Sequence, residues 1–183
     1  ECGFLSKIFG SKPTENGWKE LNNLLAAAPD ALAVSADDVH HALKKWGVKF
    51  NDDNFNQRSG IYRKLADVIF TEVQTKEDSL WGQLAHLAEI LELPPHLAKQ
   101  ADKAAKTAAY FVRCRDLLAG TEKLDIKQLN DLFGYDYEDS LSMRKQVFQA
   151  HFNLKFDEIS NAQRYTPDEE AALRADCAPL DTP

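Results

Sequence analysis

The stretch Ser35-Ala-Asp-Asp-Val-His-His-Ala-Leu-Lys-Lys-Trp-Gly47 carries the signals of a complete short helix. Ser35 and Asp38 have the spacing of a capping box, in which short polar side chains accept hydrogen bonds from the free N–H groups of the first turn. Gly47 stands where a helix commonly ends in the left-handed conformation. Between them, apolar residues recur at the spacing of one helix face. These residues are Val39, Ala42, Leu43 and Trp46.

Similar punctuation divides the rest of the chain. Pro29 ends a helix that begins near Gly17, and Pro94-Pro95 separates a helix after the cap signature Thr75–Asp78 from an alanine-rich one. No segment shows the alternation of a half-buried strand. The sequence therefore predicts an all-α fold, either an irregular helical bundle or stacked helical repeats, with about eight helices and no sheet. The other predicted helices cover about sixteen residues around 61–69, then 95–119, 125–133, 138–152 and a last one starting at Thr166-Pro167-Asp168-Glu169.

Two segments align without a gap, which predicts an internal repeat. Asp38–Asp52 matches Asp125–Asp139, and both read as an acidic cap, a short helix, an aromatic-glycine stop and alternating aromatics. Repeated helical units bury their apolar faces by stacking. We expect an N-terminal arm at 1–16, a first unit at 17–120 and a second, incomplete unit at 121–183. The second unit has no counterpart of the 95–119 helix, so we expect a piece of a longer helical array.

Composition limits the classes of function. The net charge of -7 argues against a nucleic-acid binder, whose interface is basic. No run approaches the roughly 18 apolar residues that a membrane-spanning helix needs. The three cysteines, Cys2, Cys114 and Cys177, are far apart, which favours a reducing compartment over a disulfide framework.

No constellation of residues predicts an enzyme. Asp52, Asn54 and Asn56 resemble the start of an EF-hand loop, but Gln57 and Arg63 replace the glycine and glutamate that such a loop requires. Adjacent histidines on a helix point about 100° apart, so His40 and His41 cannot share a metal. Cys114 lies between two arginines, yet no histidine partner marks it as a nucleophile.

We therefore expect no catalytic residue, no cofactor and no metal ligand. Large aromatic side chains remain as candidates for binding a partner, with burial in the protein's own core as the alternative for each. The Phe4–Phe9 segment has the same two interpretations, as a docking turn or as a terminal turn packed on the core. The candidate partner-binding residues are Phe4, Phe9, Trp18, Trp46 and Trp81.

Several motifs between residues 18 and 115 resemble a known family. They are Leu21–Asp30, Val34–Val39, Trp46-Gly-Val48, Asp53–Gln57 with Ile61-Tyr62-Arg63, and the capped helix of Asp78–Leu93. They resemble the helical region that follows the membrane anchors in the large component of the translocon at the inner envelope of chloroplasts. A weaker echo extends to residue 177. The same pattern is similar to the tellurite-resistance B-type helical domain of bacteria.

The first resemblance implies a non-enzymatic helical scaffold in chloroplast preprotein import. Its partners would be transit peptides, chaperones or other translocon subunits, in the stroma or at the stromal face of the inner envelope, with membrane contact only through neighbouring segments. The second resemblance implies the alternative, a bacterial cytoplasmic stress-response domain with a weak divalent-cation site formed by carboxylates. Calorimetry with Ca²⁺ and Mn²⁺ distinguishes the two.

Overall fold

The computed structural model describes residues 4–9, 17–162 and 166–182, and these form nine α-helices and no strand. The all-α prediction is confirmed. Contacts between Cα atoms divide the chain into two compact units, Glu1–Lys106 and Thr107–Pro183, with the division inside one long helix. The predicted division at residues 120 and 121 follows the sequence repeat instead, and it stays a prediction.

Unit 1 is built from five helices and the first part of a sixth. Leu21, Leu43 and Leu65 are closed to solvent in this unit, whereas Trp18 and Leu24 are half-buried. The helices are α1 (Phe4–Phe9), α2 (Gly17–Ala27), α3 (Ala36–Lys44), α4 (Phe55–Glu72), α5 (Leu80–Ile90) and α6 (Pro95–Leu118).

The helix ends of unit 1 mostly follow the predicted signals. Ser35 caps α3 and forms the capping box with Asp38, and Gly47 has φ +69° after the last turn. The cap predicted at Thr75 is wrong. The Thr75 carbonyl accepts hydrogen bonds from the Asp78 N–H and the Trp81 indole, so these residues form a turn and α5 begins later, at Leu80.

Unit 2 contains the end of α6 and the helices α7 (Ile126–Phe133), α8 (Tyr137–Asn161) and α9 (Pro167–Asp176). Asp125 forms a capping box with Gln128, and Thr166 caps α9, as predicted. The predicted end of α8 at residue 152 is wrong by nine residues. No glycine or proline interrupts 139–161, and the rings of Phe148, Phe152 and Phe156 stack in sequence along the helix.

Two glycines of unit 1 provide a matched stability test. A Cβ at Gly60, inside α4, would meet nothing within 4 Å, whereas one at Gly17 would lie 3.0 Å from Val48 Cγ2. We expect Gly60→Ala to stabilise the protein by about 0.5–1 kcal/mol, because alanine loses less backbone entropy in a helix. Gly17→Ala should instead destabilise it through crowding. Urea unfolding midpoints check both, and a lower midpoint for Gly60→Ala would contradict the described packing.

Candidate functional site

A buried arginine joins three parts of unit 1. Arg58, on α4, is only 2% exposed. Its Nη1 donates to the carbonyl oxygens of Leu91 at 3.1 Å and Glu92 at 2.8 Å, and its Nη2 donates to that of Asn51 at 2.7 Å. We call this arrangement the first clamp. Burial lowers the pKa of Arg58 from its usual value, and the nearby carboxylates oppose that effect. An arginine nevertheless keeps its charge in a protein.

The first clamp also fixes the aromatic residues around it. The guanidinium carbon lies 4.7 Å from the ring centre of Phe50 and 4.5 Å from that of Phe55. The Glu92 backbone has φ +47°, a conformation that residues other than glycine adopt rarely and at a cost in free energy. The clamp therefore holds the loop before α4 and the turn after α5 in fixed positions on one helix.

Unit 2 contains a second clamp with the same parts. Arg144, on α8, is fully buried and donates to the carbonyl oxygens of Tyr137, Leu180 and Asp181. Its guanidinium carbon lies 4.5 Å from the Tyr137 ring centre, and Asp181 again has φ +47°. In both units the first carbonyl belongs to the residue seven positions before the arginine.

The two clamps correct the alignment of the predicted repeat. Ser35 and Asp125 are the equivalent helix caps, whereas Asp38 is the third helical residue of α3 and no cap. Unit 1 has three more residues between this cap and the left-handed glycine, which is Gly47 in unit 1 and Gly134 in unit 2. The alignment predicted from the sequence has no gap and therefore lacks this insertion.

A groove of about 450 Å³ opens beside the first clamp. The ring of Phe50 lies on it, and this ring stacks on Trp18 with 6.4 Å between ring centres. His40 lies 5.3 Å from Phe50 and 3.0 Å, through Nε2, from Glu92 Oε1. We call this the unit 1 groove. Its lining residues are His40, Lys44, Gly47, Val48, Lys49, Phe50 and Glu92.

Two smaller grooves lie elsewhere. One, of about 350 Å³, runs between α4 and α6 within unit 1, with Arg63 and Gln100 among its lining residues. The other, of about 330 Å³, lies within unit 2 between α6 and α8, where Phe111, Val147 and Leu154 line it. The unit 1 groove adjoins the first clamp and touches an aromatic pair, and the groove between α4 and α6 also reaches the first clamp, through Phe55.

The predicted partner-binding aromatics are spread over unit 1. Phe9 is buried, and the side chain of Phe4 lies outside the described part of the structure. Trp81 packs edge-on against Phe70, with 5.1 Å between ring centres. Trp18 reaches the unit 1 groove through Phe50, and Trp46, 39% exposed, is next to the lining residue Gly47.

The two cysteines within the described residues are both buried. Cys114 is fully buried, and burial raises the pKa of its thiol to about 11. Burial also raises the pKa of Cys177. The described ranges hold no group of three histidine, cysteine or carboxylate residues placed to bind a metal ion. None of their helices is long and apolar enough to cross a bilayer.

Comparisons with known proteins leave the site to be interpreted by its geometry. No protein family matches the chain, and neither a curated protein nor a solved structure shows significant similarity to it.

Proposed function

We propose that this chain is a non-enzymatic helical interaction module and that the unit 1 groove binds a short segment of another protein. Phe50 and Val48 supply an apolar contact surface, and Lys44, Lys49 and His40 add polar groups at its edge. Binding pockets combine an apolar lining with a few placed polar groups in this way. The buried, protonated thiol of Cys114 supports a structural role for the only cysteine that the sequence placed between arginines.

The first clamp is the observation that carries this proposal. Arg58 ties the Asn51 and Glu92 backbones to α4, and both segments lie beside the groove. The groove is therefore formed before any partner arrives. A preformed site avoids the entropic cost of ordering a loop on binding, which increases affinity.

The resemblance of residues 18–115 supplies the setting of the proposal. A helical scaffold of the chloroplast inner-envelope translocon would act in preprotein import at the stromal side, where its partners are transit peptides, chaperones or translocon subunits. Transit peptides are rich in arginine and poor in acidic residues. The charge of the peptides that the groove prefers therefore distinguishes transit peptides from the other candidate partners.

Selection from a random peptide display library tests the proposal on the full chain. We expect recovered peptides to bind the wild type and to lose at least about tenfold in affinity on Phe50→Ala, because truncating an aromatic anchor commonly costs more than 1 kcal/mol. Lys44→Trp, which fills the groove from an exposed position, should weaken binding as well. Leu154→Ala, in the groove of unit 2, is the matched control. Recovery of peptides that bind all variants equally would refute the groove as the site.

Calorimetry provides the check against the cation-binding alternative. The scaffold proposal expects no micromolar binding of Ca²⁺ or Mn²⁺ to the full chain. Micromolar binding of either ion would contradict a pure scaffold and would favour the stress-response interpretation.

A further inference from the structure

The unit 1 groove is basic in a chain whose net charge is -7. Lys44 and Lys49 are exposed, and within the described ranges neither makes an ion pair. Glu92 is the single acidic residue of the lining, and its carboxylate lies against His40 at 3.0 Å. The groove therefore presents two lysine ammonium groups that no acidic side chain of the described residues neutralises.

Neither lysine contributes a side-chain hydrogen bond or an ion pair to the fold within the described ranges. Lys44 is exposed in the last turn of α3. Lys49 makes no side-chain hydrogen bond in the described structure. Its positive charge has no structural task and is available to a ligand.

The apolar part of the groove sets the second requirement. Phe50 is half-buried, and its ring lies close to the Arg58 guanidinium and to the Trp18 ring. A ring fixed by such neighbours presents its remaining exposed part to a ligand at little further loss of entropy. Aromatic pairs gain free energy beyond the area they bury. An aromatic side chain of a partner would meet Phe50 and Val48 there.

We propose that the unit 1 groove selects acidic peptide segments that carry an aromatic residue. The partner's carboxylates pair with Lys44 and Lys49, and its aromatic ring packs on Phe50. This inference rests on the proposed function and adds the chemistry of the partner. It gives an acidic chaperone or translocon segment preference over a basic transit peptide.

Fluorescence anisotropy with three labelled peptides of about ten residues tests this inference, since charge complementarity affects each differently. Each contains one phenylalanine, placed among glutamates, lysines or serines. We expect the acidic peptide to bind the full chain at least about tenfold more tightly than the basic one, and salt to weaken that binding. Lys44→Glu combined with Lys49→Glu should reverse the order.

A control variant separates charge at the groove from net charge. Lys76→Glu combined with Lys99→Glu changes the net charge equally at two exposed sites of unit 1 outside the groove, and it should leave the order unchanged. Lys49→Asp alone reverses one of the two charges and should weaken acidic-peptide binding. Equal binding of acidic and basic peptides would overturn the inference, as would an order that both double variants change alike. If library peptides bind through Phe50 while the acidic probe does not, the inference fails and the proposed function stands.

Discussion

Arg144→Met is expected to lower the free energy of unfolding of unit 2 by about 3–5 kcal/mol. The Arg144 guanidinium donates to the carbonyl oxygens of Leu180 and Asp181 and to that of Tyr137, which also accepts from Ser140 Oγ. Its Nε donates to Ser140 Oγ at 3.2 Å. Methionine fills similar space but donates nothing. Buried carbonyl oxygens without a donor each cost roughly 1–3 kcal/mol. The expected loss in the free energy of unfolding is therefore larger than that caused by removing one methylene group from the core.

Chemical denaturation followed by circular dichroism measures this effect. Arg144→Lys retains the charge but cannot reach the same acceptors at once, so an intermediate loss is expected. Arg115→Met, an exposed arginine in the same unit, serves as the control and should change stability by less than about 0.5 kcal/mol. An Arg144→Met loss no greater than that of the control would show that the second clamp does not hold the unit together.

Arg113→Met should destabilise unit 2 by about as much, roughly 3–5 kcal/mol, by leaving a buried carboxylate unpaired. The Arg113 and Glu122 side chains are 1% and 6% exposed, and two hydrogen bonds of 2.7 and 3.0 Å join them. Adding Glu122→Gln removes the unpaired charge while an amide oxygen still accepts the N–H groups of Lys123 and Leu124. We expect the double variant to recover about 1–3 kcal/mol of the loss.

The pH dependence of unfolding gives a second readout of that ion pair. Burial acts to raise the pKa of Glu122, but hydrogen bonds from Arg113 and from two backbone N–H groups outweigh it, and the pKa lies below the usual 4.5. A carboxyl group whose pKa is lower in the folded state stabilises the protein when the pH is above its usual pKa. This stabilisation is lost as the pH falls through the folded-state pKa. Acid should therefore destabilise the wild type more than the double variant. A double variant as unstable as Arg113→Met, with equal acid sensitivity, would contradict the pairing.

The sequence predicted the helices well because their ends carry local signals. Asp125 with Gln128 marks the start of α7 and Gly134 marks its end, and the structure shows both that cap and that left-handed residue. The end of α8 could not be placed, since no proline or glycine marks it. The stacked rings of Phe148, Phe152 and Phe156 lie along the part of α8 that continues past residue 152.

The candidate site was much harder to predict than the fold. Arginines are usually exposed, so Arg58 and Arg144 gave no sign of being buried. Their acceptors come from turns more than thirty residues further along, at Glu92 and Asp181, where non-glycine residues adopt φ +47°. The sequence does contain a signal for these two turns. The pattern leucine, acidic residue, any residue, proline occurs at Leu91–Pro94 and again at Leu180–Pro183.

Of the predicted aromatics whose side chains the structure describes, only Trp18 reaches the groove through a ring contact, by way of Phe50, which was not among the predicted residues. A half-buried phenylalanine outside any helix has no periodic pattern to mark it. Its ring lies 4.7 Å from the guanidinium carbon of Arg58, a tertiary contact that no local pattern predicts.

Chemical-shift mapping of a peptide selected from the display library on the isotope-labelled full chain tests the central claim most directly. The claim is that the unit 1 groove, formed by the first clamp, is the binding surface of an interaction module. We predict that perturbed amides cluster at His40, Lys44, Val48–Phe50 and Glu92. Shifts confined to the unit 2 groove around Phe111 and Val147, or none at saturating peptide, would contradict it.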